Sequence, residues 1–163
     1  MDPNARLPAV PGEGELHPSP RVCGLNVLLA EDDAEMRHFL YAELRAAGHL
    51  VATMRDGTEM IEALSEMSKL SLGIPDAIIM DVRMPGYSGL HILAALRAAR
   101  WSTPVILITA FGDQRVHDEG ARLGAAVVFD KPLDIDDLRK ALLNLELTDR
   151  RGDGGEHGRA LKS

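Results

Sequence analysis

The pattern of the chain predicts a doubly wound α/β domain, one five-stranded parallel sheet with helices on both faces. Three observations carry that prediction. Short runs of consecutive apolar residues recur, as in Asn26-Val27-Leu28-Leu29-Ala30 and Val105-Ile106-Leu107-Ile108-Thr109. Continuous rather than alternating apolarity marks a strand buried on both faces. Between the runs lie stretches with apolar residues at helical spacing, and the two patterns alternate strictly from residue 25 to residue 146. Crossovers between parallel strands are right-handed, so such a chain winds into one twisted sheet.

Asn26 to Ala30 forms the first strand and runs straight into Glu31-Asp32-Asp33. Asp33 is the expected N-cap of a helix carrying Met36, Phe39, Leu40, Leu44 and Ala47 inward, with Gly48 as its stop. Leu50 to Met54 is the second strand, Arg55-Asp56-Gly57 a turn, and Thr58 opens a helix with Met60, Ile61, Leu64 and Met67. Ser71 to Pro75 is a loop. The central strand comes next as Ala77-Ile78-Ile79-Met80, with Asp81 at its carboxyl end and Pro85, which lacks an amide donor, as its stop. Leu90, Leu93 and Leu96 face inward on the third helix, which comes after Gly86-Tyr87-Ser88-Gly89. Val105 to Thr109 is the fourth strand, a short helix runs from about Asp113 to Gly124, and Ala126 to Phe129 is the fifth strand. Asp130-Lys131-Pro132-Leu133 leads into a last helix with Ile135, Leu138, Leu142 and Leu145.

Residues 1–24 hold five of the nine prolines and read as a flexible extension; 147–163 read as a disordered tail. Residues 25–146 form the domain. The 163-residue chain is 45% hydrophobic and 26% charged, ordinary for a globular protein, but only 4% aromatic, so the core must be aliphatic. The net charge of −7 argues against a nucleic-acid or anionic-membrane surface and suits a site that holds a cation. Cys23 is the single cysteine, which excludes an internal disulfide and favours the cytoplasm. No run approaches a membrane span of roughly 18 residues, and no signal peptide is visible. The histidines do not cluster at ligand spacing, and no Gly-x-Gly-x-x-Gly comes after the first strand.

Four strand tips carry polar groups: Glu31 and Asp32, Asp81, Thr109, and Lys131. The carboxyl edge of a parallel sheet is where ligands bind, and in the order 2-1-3-4-5 the first and third strands flank the crevice. Three carboxylates would converge there. Like charges raise one another's pKa unless a cation neutralises them, and hard oxygen donors suit Mg²⁺. A carboxylate beside such a cation, a lysine and a hydroxyl is equipped to receive a phosphoryl group, with Asp81 as nucleophile.

Taken together, Val27-Leu28-Leu29-Ala30-Glu31-Asp32-Asp33, Asp81-Val82-Arg83-Met84-Pro85-Gly86-Tyr87-Ser88-Gly89, Ile106-Leu107-Ile108-Thr109-Ala110 and Phe129-Asp130-Lys131-Pro132 resemble the receiver domain of two-component response regulators. The resemblance implies a flavodoxin-like fold and phosphorylation of Asp81 by a sensor histidine kinase or a histidine phosphotransfer protein. It implies Mg²⁺ held by Asp32, Asp81 and the backbone carbonyl of Arg83, with Glu31 acting through water. It assigns Thr109 and Lys131 to the phosphoryl group, and puts Arg83 and Phe111 at positions that flank the path of the attacking water, where their bulk is expected to slow its loss. One departure stands out: three residues before Lys131 the family commonly carries Tyr or Phe as a rotating switch, and here it is Val128.

The expectation is a stand-alone receiver, monomer or weak dimer, that signals by protein interaction or relay without direct nucleic-acid or membrane binding, and is not an enzyme. Two rivals remain: a receiver-like module that docks without phosphorylation, and a Mg²⁺-dependent phosphatase with an aspartyl nucleophile.

Overall fold

The structure is a computed structural model and describes residues 24–110 and 112–152, without the side chains of 149–152. The N-terminal extension to residue 23 with Cys23, Phe111, and the tail from 153 lie outside the described residues. Strands β1 (Asn26–Ala30), β2 (Leu50–Met54), β3 (Ala77–Asp81), β4 (Val105–Thr109) and β5 (Val127–Asp130) alternate with helices α1 (Ala34–Ala46), α2 (Gly57–Leu70), α3 (Gly89–Ala98), α4 (Gln114–Arg122) and α5 (Ile135–Gly152). All strand pairs are parallel and the order is β2-β1-β3-β4-β5, as the sequence predicts.

Alternate residues of the central strands feed two aliphatic cores. Leu28, Ala30, Ile78, Met80 and Leu107 pack with Met60, Leu64, Ile92, Leu93 and Val116 beneath α2, α3 and α4. Val27, Leu29, Ile79, Ile106 and Ile108 pack with Leu40, Leu44, Leu138 and Leu142 beneath α1 and α5. Every residue of β3 and β4 is buried, which explains their unbroken apolarity. β2 is an edge strand and mostly exposed. Arg139 on α5 pairs with Glu43 on α1, tying the two helices of one face.

Each of the first four helices starts on a side-chain cap. Asp33, Asp56, Ser88 and Asp113 accept from the amides of Met36, Glu59, His91 and Val116. Asp56 as a cap places Gly57 inside α2, where the sequence predicts a turn. Gly57 is required by close approach: a Cβ there would stand 2.0 Å from the Tyr87 carbonyl oxygen.

Three expectations need correction. Phe39 is 48% exposed and Ala47 caps α1 from outside, because Met36, Leu40 and Leu44 already fill the buried stripe. β5 begins and ends one residue later than its apolar run, since the Asp130–Thr109 pairing extends the ladder. The segment expected as a tail is helical through 152, as the polar continuation of α5 keeps helical geometry beyond the last core contact. Among the described residues no helix is long and apolar enough to cross a membrane.

The correction at Phe39 has a measurable consequence. Leu40→Ala removes a fully buried side chain and is expected to cost about 2–5 kcal/mol in urea unfolding. Phe39→Ala, one position away, is expected to cost less than about 1 kcal/mol. Equal losses would put Phe39 back in the core.

Candidate phosphoacceptor and metal site

Asp81 ends β3 and is 5% exposed. Its Oδ1 accepts the Arg83 amide at 2.9 Å, and its Oδ2 lies 2.5 Å from Lys131 Nζ. The turn after it is fixed by backbone bonds, Val82 N to Ile108 O and Gly89 N to Val82 O. A Cβ at Gly89 would meet the Asp81 carbonyl oxygen at 2.8 Å, so only glycine lets α3 start this close.

Glu31 stands at the neighbouring tip of β1 and is fully buried. The backbone there is held by Glu31 N to Met54 O and by Arg37 Nη1 to Glu31 O at 2.8 Å. Glu31 Oε1 accepts from the Asp33 amide; Oε2 sits 3.5 Å from Lys131 Nζ and has no hydrogen-bond partner among the described residues. Asp32 is exposed, yet carboxylate oxygens of Glu31, Asp32 and Asp81 all lie within 4.8 Å of one another. Thr109 ends β4 with its carbonyl accepting from Lys131 N at 2.7 Å, while its buried Oγ1 also lacks a partner among the described residues. All five side chains expected at the strand tips thus occupy the same sheet edge. Asp33, expected to be a cap and not a ligand, is a cap.

The electrostatics derive from burial. Desolvation first, then the Asp81 charge, pushes the Glu31 carboxyl up from 4.5 to about 7, against the opposing Asp33 amide and Lys131 charge. For Lys131, burial pulls the pKa down, but the hydrogen bond and charge of Asp81, with Glu31 behind them, outweigh it and leave the ammonium held above its ordinary value. One lysine is shared by two buried carboxylates, with a third close by. Buried polar atoms are almost always satisfied in folded proteins. The partnerless Glu31 Oε2 beside two further hard oxygen donors fits an oxygen-ligated divalent ion such as Mg²⁺.

Sequence reading missed two features around this edge. Met36, which also packs on the core, and exposed Phe39 line with Asp33, Glu35 and Lys131 a shallow depression of about 450 Å³ beside the site. His117 on α4 bonds Asp130, the residue before Lys131, at 2.7 Å. Neither has a local sequence signal, since both depend on how a helix sits over a strand tip.

Comparison with known proteins agrees with this geometry. The family model for the response regulator receiver domain matches residues 27–143. The transcriptional regulatory protein TcrA of Mycobacterium tuberculosis is 33% identical over 141 residues, covering 86% of this chain and 52% of that protein. The two-component response regulator PhoP of Pseudomonas aeruginosa is 34% identical over 130 residues, covering 80% of this chain and 54% of that one. The chain therefore spans about half the length of these curated relatives. Among solved structures, the chemotaxis response regulator CheY4 of Vibrio cholerae superposes with a TM-score of 0.64 at 30% identity, covering 75% of this chain and 98% of that one.

The raised carboxyl sets a pH dependence. A folded-state pKa above the unfolded value means the folded chain holds the proton more tightly, so stability is lost as pH climbs from about 4.5 to about 7. With divalent ions chelated, Glu31→Gln is expected to gain on the parent across that window, by on the order of 1–3 kcal/mol at its upper end. Urea unfolding of both proteins at about pH 5 and about pH 7.5 checks it; a constant gap would mean Glu31 is not the group carrying the penalty.

Proposed function

The chain belongs to the response regulator receiver domain family, and on that premise we propose that it is a phosphoacceptor, charged on Asp81 by the phosphohistidine of a sensor histidine kinase or a histidine phosphotransfer protein. The observation that carries this reading is the Asp81 carboxylate, bonded by Lys131 at 2.5 Å and within 4.8 Å of Glu31 and Asp32, with the buried Thr109 hydroxyl, which has no partner among the described residues, at the tip of the neighbouring strand. In the transfer, a carboxylate oxygen of Asp81 forms a bond to phosphorus as the bond from phosphorus to the donor's imidazole nitrogen breaks. The imidazole leaves with that electron pair.

The chain's own residues prepare each part of this. The Arg83 amide orients Asp81 through Oδ1. Lys131 already meets the carboxylate as an ammonium and would follow the charge onto the phosphoryl oxygens. The Thr109 hydroxyl, which has no partner among the described residues, would donate to the same oxygens. Asp32, Asp81 and the Arg83 carbonyl would hold Mg²⁺, with Glu31 acting through water, and a divalent ion there supplies neutralising charge for the entering group. Asp32, the exposed member of the three, leaves the metal position open to solvent while Glu31 stays buried.

Signalling would proceed by protein interaction or relay from the phosphorylated state. TcrA is named a transcriptional regulatory protein, and the matched region is about half of it. The intact set of five site residues supports phosphorylation over constitutive docking. Arg83, two residues after Asp81, stands where aspartyl phosphatases commonly carry an acid, which supports a signalling module over an enzyme acting on external phosphate esters.

Incubation with Mg²⁺ and acetyl phosphate, then intact mass, is expected to show a gain of one phosphoryl group. Asp81→Asn and metal chelation should each abolish it, and Lys131→Ala should slow it by about tenfold or more. A parent that stays unmodified with metal present would favour the docking module; steady turnover of a generic phosphate ester would favour the phosphatase.

A further inference from the structure

Two of the three clustered carboxylates, Glu31 and Asp32, reach the site on the short turn between β1 and α1. Their situations differ. Glu31 is buried, and its side chain is held by the Asp33 amide and by Lys131. Asp32 is exposed, so packing does not fix its carboxylate. Its place beside Asp81 is set by the backbone of its two neighbours. What fixes that backbone therefore decides how closely Asp32 attends the site.

Arg37, in the first turn of α1, bonds the carbonyls on both sides of Asp32. Its amide donates to the Asp33 carbonyl at 2.9 Å, and its Nη1 donates to the Glu31 carbonyl at 2.8 Å. The first bond belongs to the helix and survives a change of side chain. The second depends on the guanidinium, which is partly buried, and a charged donor makes the stronger kind of hydrogen bond. The Arg37 charge is directed away from the acids. The bonds from Arg55 hold the Glu59 carboxyl of α2 below its ordinary range, and the Arg37 charge adds to them. The charges acting on the Glu31 carboxyl are those of Asp81, Lys131 and Asp32. Arg37 thus bears on the acid cluster through the shape of a turn.

We propose that Arg37 is a positioning residue of the metal site: by bonding the Glu31 carbonyl it fixes the turn that keeps the Asp32 carboxylate beside Asp81, within reach of a divalent cation. This rests on the reading of Asp32 and Asp81 as Mg²⁺ ligands. Like charges on neighbouring strand tips repel, so a loosened turn swings the exposed Asp32 outward into water. A cation must then draw it back, and its affinity falls by the share of chains in the open form. Groups that orient metal ligands from behind set about 10–100-fold of affinity. The two ways Arg37 could act have opposite signs. If its charge were what mattered, removing it would help a cation bind; if its bond matters, removing it weakens binding.

The test is calorimetric titration of the full chain with Mg²⁺, with circular dichroism to establish that each variant is folded at the temperature used. Arg37→Met keeps the apolar stem and removes donor and charge; Arg37→Lys keeps a charged donor. The Met variant is expected to bind Mg²⁺ about tenfold more weakly than the parent, and the Lys variant within about threefold of it. The gap between parent and Met variant should hold within about twofold from about 0.05 to about 0.5 M KCl, since screening erases an effect of charge and leaves one of geometry. If the Met variant does not fold, Arg37→Gln takes its place with the same expectation. Binding by the neutral variant that equals or exceeds the parent's, a Lys variant as weak as the neutral one, or a gap that vanishes in salt overturns the role of Arg37 and leaves the metal reading standing. A parent that binds no Mg²⁺ overturns the metal reading, and the role of Arg37 with it.

Discussion

The structure depends on one constraint: three carboxylates converge within 4.8 Å at two neighbouring strand tips, and Lys131 is the one cation among the described residues bonded to their centre. Coulomb repulsion at that spacing is large in a buried setting, and burial raises it further. The fold opposes this from three directions. Lys131 meets Asp81 and Glu31 together. Backbone amides of Asp33 and Arg83 donate one bond to each of the two buried acids. Asp32 is left in solvent, where its charge is screened.

Parallel topology makes the convergence unavoidable. In the order β2-β1-β3-β4-β5 every strand points the same way, so the residues after each strand emerge at one edge. β1 and β3 are neighbours although α1, β2 and α2 separate them in the chain, and their adjacency brings Glu31 and Asp32 to Asp81. Register then sets the level: Asp81 pairs with Ile108 and Thr109 with Asp130, so the acid, the hydroxyl and the lysine sit on successive steps of adjacent strands. A one-residue slip would turn Asp81 into the opposite face and separate it from Lys131.

The same physics decides how much of this is legible in the residues alone. Strands β1, β3 and β4 are legible because burial on both faces leaves an unbroken apolar run, and the polar residue ending each run is the site residue. The cap at Asp33 is legible because it is local. Position 39 is not: a phenylalanine at helical spacing suggests the core, but only the assembled angle of α1 on the sheet shows that Leu40 and Leu44 fill the stripe. His117 is invisible for a similar reason, since its partner lies in another element and nothing between them in the sequence links the two. The extent of α5 escapes because its last turns are polar and carry no hydrophobic period.

The two cores and the charged edge are complementary demands on one short sheet. β3 and β4 are sealed on both faces by aliphatic side chains, so their backbones have no freedom to relax around the acids they present. A softer frame would let Asp81 and Glu31 drift apart and lose the closeness that favours a cation. The cost of crowding is thus borne by Leu, Ile, Val and Met packing far from the edge, and the edge stays poised because those residues hold it. Where the packing thins, α4 rests on β5 through Gly120 against Val128, with Val116 as its one buried apolar side chain.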